Sequence, residues 1–359
     1  MPVTLSLMVD LKALNPQRIL FILPCCIGDV VLATAVLQAI RRGYPEASIT
    51  WAISSWARPV IENHPLITEV LDTGPKALPT QTPGDFLSFV RLIRRGRYDL
   101  AVSLVRSPLL GLAVALAGIA VRAGLDSGGR GLGYNVRASI KPDEARHEAD
   151  IFLDVARELG LDVSGVAPNI PVHSADRETI ETMLESRGIE RYLVVNPAGG
   201  NNPGMDLDIK RYPTAQMAEL AARLSDDLGA AIVLLGGPED RALVEAVSAE
   251  MPKPPSATFA GDLTFGQIAA LAHDSLFYLG NDTGLTHLAA AAGAKTAMIF
   301  GPTDPSRYGP YNDEAIALWK PISVMRRGVT DGTPGDFEWA RDGISVEDAE
   351  ASIYQFLHT

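Results

Sequence analysis

Cysteine is almost missing from this chain. There are two, Cys25 and Cys26, and they are neighbours. Adjacent cysteines offer neither a disulfide framework nor a Cys-x-x-Cys metal pair, which points to a reducing compartment. Histidine is also sparse, with six residues and no His-Glu-x-x-His or comparable metal spacing. No Gly-x-Gly-x-x-Gly follows the first strand of either half, which argues against an ordinary dehydrogenase. Gly293-Ala-Lys295-Thr296 is only a superficial match to a phosphate loop: its Gly and Lys are not adjacent, and a strand follows instead of a helix. Positive charge is short, with 31 Lys and Arg against 43 Asp and Glu and a net charge of −12, which argues against a nucleic-acid partner. The first residues lack the basic start, apolar core and cleavage site of a secretory signal. The most apolar stretch, Pro108 to Val121, is too short to span a bilayer and is bracketed by Arg106 and Arg122, so it reads as a buried helix.

The 359 residues, 47% of them hydrophobic, suffice for two globular domains. Their charge is uneven: residues 1–172 carry 17 Lys/Arg and 16 Asp/Glu, and the remainder 14 and 27. Arg91, Arg94, Arg95 and Arg97 cluster in the near-neutral half. They read as a solvated helix face or as a surface that meets an anionic partner. Apolar strands at Arg18–Leu23, Ser48–Ile53 and Tyr98–Leu104 alternate with helical patterns, first at Val30–Arg42. The alternation restarts at Tyr192–Asn196 after a proline-containing linker, Pro168 to Val172. Such alternation implies parallel sheets with helices on both faces, in two doubly wound domains about a cleft. The expected domains are 1–170 and 173–343, followed by a helical segment over 344–359 with Ser345 as its cap.

Gly280-Asn-Asp-Thr-Gly-Leu-Thr-His-Leu-Ala-Ala-Ala291 is the most informative segment. The apolar run Ser275–Leu279 reads as a buried strand, then comes a polar Gly turn, then an Ala-rich helix. A helix start holds unpaired N–H donors and a partial positive charge, so it suits a phosphate. Asp282 in that turn suits hydroxyls, such as those of a sugar. Together they suggest a nucleotide-sugar site. Thr283 and His287, four apart, share a helix face.

Other candidates each have two readings. Asp29, at the end of the first strand, reads as a helix N-cap or as a general base, although a helix start should lower its pKa and weaken it as a base. Asn196-Pro-Ala-Gly-Gly-Asn201 is an ordinary loop or, through Gly199 and Gly200, a close approach to a ligand. Lys210-Arg-Tyr-Pro213 is a solvated basic pair or a neutraliser of a leaving diphosphate. Gly301-Pro-Thr303 closes a further strand at the same cleft edge.

Taken as an ordered set, these pieces resemble the lipopolysaccharide heptosyltransferases, glycosyltransferase family 9. The similarity runs from Arg18–Thr34, with Gly28-Asp29, through Tyr98-Asp-Leu, Val121-Arg-Ala-Gly124, Asn196-Pro-Ala-Gly199 and Lys210-Arg-Tyr-Pro213. It continues over Asn281–Gly293, Phe300-Gly-Pro-Thr-Asp-Pro305 and Gly309-Pro310. The resemblance implies a GT-B fold, two Rossmann-like domains facing a central cleft, with the last helix crossing back to the first domain. It implies inverting transfer of a heptose or similar sugar from an ADP-activated donor, with no metal and no cofactor beyond that substrate. Asp29 matches the base and Lys210 a residue near the donor phosphates. Asp282 matches the sugar-contacting carboxylate, Thr283, Gly284 and Leu285 the phosphate-contacting turn, and His287 the helix histidine. Asn196, Gly199 and Gly200 fall on the donor side. The implied acceptor is a lipid-linked or phosphorylated glycan, and the implied place the cytoplasm, with peripheral contact at the inner membrane left open. The sequence departs from the family in Cys25-Cys26 before Gly-Asp, in Tyr212 for Trp, and in a Cys-free stretch at Val324–Trp339. Two other readings stand beside it: a nucleotide-sugar epimerase of related architecture, and a catalytically silent sugar-nucleotide-binding protein.

Overall fold

A computed structural model describes residues 11–141, 146–202, 205–322 and 337–358. In the first domain β1 (Arg18–Ile22), β2 (Ser48–Ile53), β3 (Glu69–Asp72), β4 (Leu100–Ser103), β5 (Val121–Ser127) and β6 (Val136–Ile140) form one parallel sheet in the order β3-β2-β1-β4-β5-β6. The central strands are apolar along their length because helices cover both faces. One face holds α1 (Ile27–Gly43) and α4 (Glu148–Glu158); the other holds α2 (Pro83–Arg95) and α3 (Pro108–Leu116).

The second domain repeats this order. β7 (Tyr192–Asn196), β8 (Ala231–Gly236), β9 (Ala257–Ala260), β10 (Phe277–Asn281), β11 (Thr296–Ile299) and β12 (Ala315–Leu318) run β9-β8-β7-β10-β11-β12, all parallel. α5 (Ser174–Glu185) precedes them, and between them lie α6 (Thr214–Leu228), α7 (Arg241–Glu250), α8 (Phe265–His273), α9 (Gly284–Ala291) and the short α10 (Pro305–Tyr308). The chain ends in α11 (Trp339–Asp342) and α12 (Val346–Leu357). Two doubly wound sheets with this strand order are the GT-B arrangement. Each has its switch point between its first and fourth strands, where the connections reverse direction and a crevice opens.

The domains are joined by more than the linker. α1 packs against α9, and one apolar cluster includes Val30, Val31 and Leu288 from the two sides. The linker threads between these helices: Asn169 N–H donates to Thr34 Oγ1 at 2.8 Å, and Ile170 N–H to the Ala291 carbonyl at 3.0 Å.

Three expectations need correction. The first helix begins at Ile27, three residues before Val30, because Cys26 turns the chain with φ of 72°. Asp29 is therefore its third residue and not its cap. The stretch from Pro108 is a helix only to Leu116, and it is not buried all round: Leu109, Leu112 and Leu116 are 50%, 44% and 53% exposed. The last helix, capped by Ser345 as expected, does not cross back to the first domain. Val346, Ala349 and Ile353 bury in the second-domain core against α6, and Arg223 of α6 pairs with Glu350 at 2.7 Å. Residues 324–336 of the Cys-free stretch lie outside the described residues.

Candidate active site

The site forms where two helix starts meet. α1 rises from the carboxyl end of β1 and α9 from the carboxyl end of β10, each beside its sheet's switch point. Glycines let them touch. A Cβ on Gly284 would stand 2.6 Å from Ile27 Cβ and 3.0 Å from the Gly28 nitrogen, and one on Gly28 would stand 3.0 Å from His287 Cδ2. The unpaired N–H ends of both helices thus share one cleft.

Asp29 is half-buried on the first-domain side. Burial pushes its carboxyl up to about 7, and the Glu148 carboxylate pushes the same way, against the pull of Arg106, Arg307 and Lys210. The expected lowering at a helix start is outweighed, because desolvation of a charge costs more than a partial dipole returns. Glu148 itself is 2% exposed and lies between Arg106 of the first domain, at 2.6 Å, and Arg307 of the second, at 3.2 Å. His147 caps the same helix: its Nδ1 accepts from Ala149 N–H, which leaves Nε2 to donate to the Gly309 carbonyl at 2.8 Å across the domain boundary.

Asn281, fully buried, ties two loops together. Its amide donates to the Pro197 carbonyl at 2.7 Å, and its oxygen accepts from Tyr212 N–H at 3.0 Å. Tyr212 is pinned by its hydroxyl on the Ile344 carbonyl, and Trp339 Nε1 donates to the Ile209 carbonyl. These bonds hold the short turn that carries Lys210. Its ammonium lies 2.5 Å from the Asp282 carboxylate, with both side chains largely buried. His287, also buried, is held down to about 4 by desolvation, partly offset by Asp282, and so is neutral near pH 7. Thr283 caps α9 by accepting from Leu285 N–H at 3.3 Å.

Beside this junction is a cavity of about 760 Å³, large enough for a nucleotide. Of the residues singled out in the sequence, Gly199, Thr283, Gly284 and Leu285 line it. Asn196 sits fully buried behind the loop, where its oxygen accepts from Ala198 N–H, and so it shapes the loop from behind. Gly200 has φ of 83° and closes on the Leu207 carbonyl, a turn that a side chain would obstruct. Asp29, Lys210, Asp282 and His287 do not line the cavity; they gather at the helix junction beside it, close enough to shift one another's charge.

Sequence reading missed Arg106, Glu148 and Arg307, and also the Gly236-Gly-Pro-Glu-Asp240 loop that forms one cavity wall. That loop follows β8 at the carboxyl edge, so its position was the available signal. Among the described residues, no group of three or more His, Cys, Asp or Glu side chains is placed to hold a metal ion.

Residues 86–329 match the family described as glycosyltransferase family 9 (heptosyltransferase). The lipopolysaccharide heptosyltransferase 3 of Escherichia coli is 24% identical over 298 residues, covering 81% of this chain and 86% of that protein. The fold superposes on a glycosyl transferase family 9 protein from Veillonella parvula with a TM-score of 0.79 at 24% identity, covering 96% of this chain and 99% of the other. It also superposes on the E. coli ADP-heptose lps heptosyltransferase II with a TM-score of 0.74 at 20% identity, covering 95% and 98%.

Proposed function

The chain belongs to glycosyltransferase family 9, and we propose that it moves a heptose, or a closely similar sugar, from an ADP-activated donor to a lipopolysaccharide-core or related glycan acceptor. One observation carries this reading: a carboxylate raised to about 7 and a phosphate-ready helix start meet in a single cleft beside a nucleotide-sized cavity. The names of the relatives support the choice of sugar and nucleotide.

In this mechanism the acceptor hydroxyl attacks the anomeric carbon from the face opposite the diphosphate. Its proton passes to an Asp29 oxygen as the new C–O bond forms. The old C–O bond breaks, and ADP leaves with the electron pair. The N–H groups of Thr283 and Gly284 and the Lys210 ammonium meet the charge that develops on the leaving group, in the turn that Leu285 N–H holds by its bond to Thr283 Oγ1. Asp282 accepts from sugar hydroxyls. Neutral His287 packs on Gly28 and keeps the two helix starts in register. No step in this scheme calls on a metal ion.

The acceptor approaches from the first domain, whose near-neutral charge tolerates an anionic, lipid-linked glycan better than the acidic second half does. No helix among the described residues is long and apolar enough to cross a membrane. We place the reaction in the cytoplasm, at the inner face of the inner membrane.

Titration calorimetry with a panel of nucleotide sugars tests the donor, with ADP-heptose expected to bind best. Binding by none of them would sink the proposal. Donor binding without transfer to any extracted glycolipid would instead favour the silent binding protein, and conversion of the donor without acceptor would favour the epimerase.

A further inference from the structure

α3 has an outward face without a charge. Leu109, Leu112 and Leu116, at positions i, i+3 and i+7, are each about half exposed and make a stripe about 10 Å long. Leu132 extends it at 75% exposure. Its loop rides on α3, because a Cβ on Gly133 would run into the Gly111 carbonyl and reach 2.6 Å from the Leu112 nitrogen. α2 packs beside α3 on the same face of the sheet and adds Leu87, 50% exposed, and the exposed side chains of Arg91, Arg94 and Arg95. Arg130 is exposed on the loop of Leu132. Five leucines rimmed by four arginines are unusual on a chain whose net charge is −12.

We propose that this α2–α3 face docks on an anionic lipid bilayer. The leucines enter the headgroup–acyl boundary and the arginines meet the lipid phosphates. A second copy of the chain fits less well, since pairing this face with itself would set the two arginine groups against each other. The placement has a consequence for the reaction. α3 is capped by Ser107, and Arg106, the residue before it, grips Glu148 beside Asp29. The leucine stripe therefore starts near the cleft, and docking would hold the first-domain side of the cleft close to the bilayer surface. This consequence rests on the reading that the acceptor is lipid-linked; the docking itself does not.

Flotation with vesicles tests the surface without reference to activity. The probes are vesicles of phosphatidylcholine with a quarter phosphatidylglycerol, and pure phosphatidylcholine for comparison. The wild-type chain should float with the anionic vesicles and much less with the neutral ones. The combined change Leu109→Ser, Leu112→Ser, Leu116→Ser should weaken flotation by about 10-fold or more, and Arg91→Glu, Arg94→Glu, Arg95→Glu should do likewise. Unaltered melting would certify that these surface variants are folded. Wild-type protein that stays with the buffer, or flotation indifferent to both variants, would overturn the proposal. So would sedimentation showing a dimer that the leucine variant splits. In a second arm, the leucine variant should lose rate on acceptor embedded in vesicles and keep it on a delipidated, soluble acceptor. Vesicle binding without transfer to either acceptor would leave the docking surface standing and remove the transferase reading.

Discussion

Gly284 of α9 abuts Ile27 of α1 across the domain boundary, with no room for a methyl group between them. The obstacle is Ile27 Cβ and the backbone nitrogen of Gly28, neither of which can rotate away. Gly284→Ala should therefore force the two helix starts apart by a fraction of an ångström or more. The two helices share one apolar core, so overpacking there should cost about 1–3 kcal/mol and lower the melting temperature by a few degrees while the protein stays folded at about 25 °C. The rate should fall on the order of 10²-fold, since a displacement of about 1 Å at reacting groups costs that much. Steady-state transfer and thermal melting measured together check this. A near wild-type rate would mean that the contact does not set the catalytic geometry.

Asp29 has its carboxyl pushed up to about 7, chiefly by burial. A general base works only when deprotonated. The transfer rate should rise with pH, about tenfold per unit below 7, and level off above it. Asp29→Asn should lose roughly 10²–10⁴ in rate and keep its donor affinity. Glu148→Gln removes one of the groups that raise Asp29 and leaves Arg106 and Arg307 beside it, so the acid limb should move to lower pH. That variant should also be destabilised by about 3 kcal/mol, because two largely buried arginines lose their carboxylate. A pH–rate profile that does not move in Glu148→Gln would argue against Asp29 as the group that titrates.

Lys210 and Asp282 neutralise each other at 2.5 Å, and a donor would have to be shared between them. Lys210→Met should weaken both ADP and the nucleotide sugar, by about 10-fold or more, since its proposed charge-assisted contact to diphosphate would be lost. Asp282→Asn should weaken the nucleotide sugar more than ADP, because its proposed partner is a sugar hydroxyl. Calorimetry with the two ligands separates these effects. Equal losses for both ligands in Asp282→Asn would remove the sugar-contacting role.

Much of this was legible in the sequence because it is local. The Gly280–Ala291 turn announces itself by a strand, a polar turn and a small-residue helix in one run. Asp29 follows a strand and a Gly in the same way. Glu148, Arg106 and Arg307 could not be found so, since three separate elements from two domains bring them together. No window of sequence records such proximity. The start of α1 was hidden by Cys26, whose φ of 72° is a conformation seldom adopted by a residue other than glycine. The exposed side of α3 was hidden because a uniformly apolar helix reads the same whether its outer face is covered or open. Family resemblance carries no information on where the last helix packs here; its own Val346, Ala349 and Ile353 put it on the second domain.

The raised carboxyl of Asp29 should also be visible in stability. Its pKa is about 7 in the folded chain against 3.8 for the ordinary group. The folded state thus holds a proton that the unfolded state releases between those values. Stability from this group is fully present below about pH 4 and is lost as pH rises through 7. His287 works the other way. It is held down to about 4 against 6.5, so its share is present above 6.5 and lost as pH falls toward 4. The two oppose each other in the wild-type profile, and Asp29→Asn isolates the first while leaving His287 in both proteins. At pH 8 the variant should be more stable than wild type by on the order of 2–4 kcal/mol, the upper figure being a shift of about three units at 1.36 kcal/mol each. At pH 4 the difference should nearly vanish, since Asp29 is then largely protonated when folded and about half protonated when unfolded. Urea unfolding at the two pH values measures this. A variant that is less stable than wild type at pH 8 would show that Asp29 is held as a favourable anion and is no strained base.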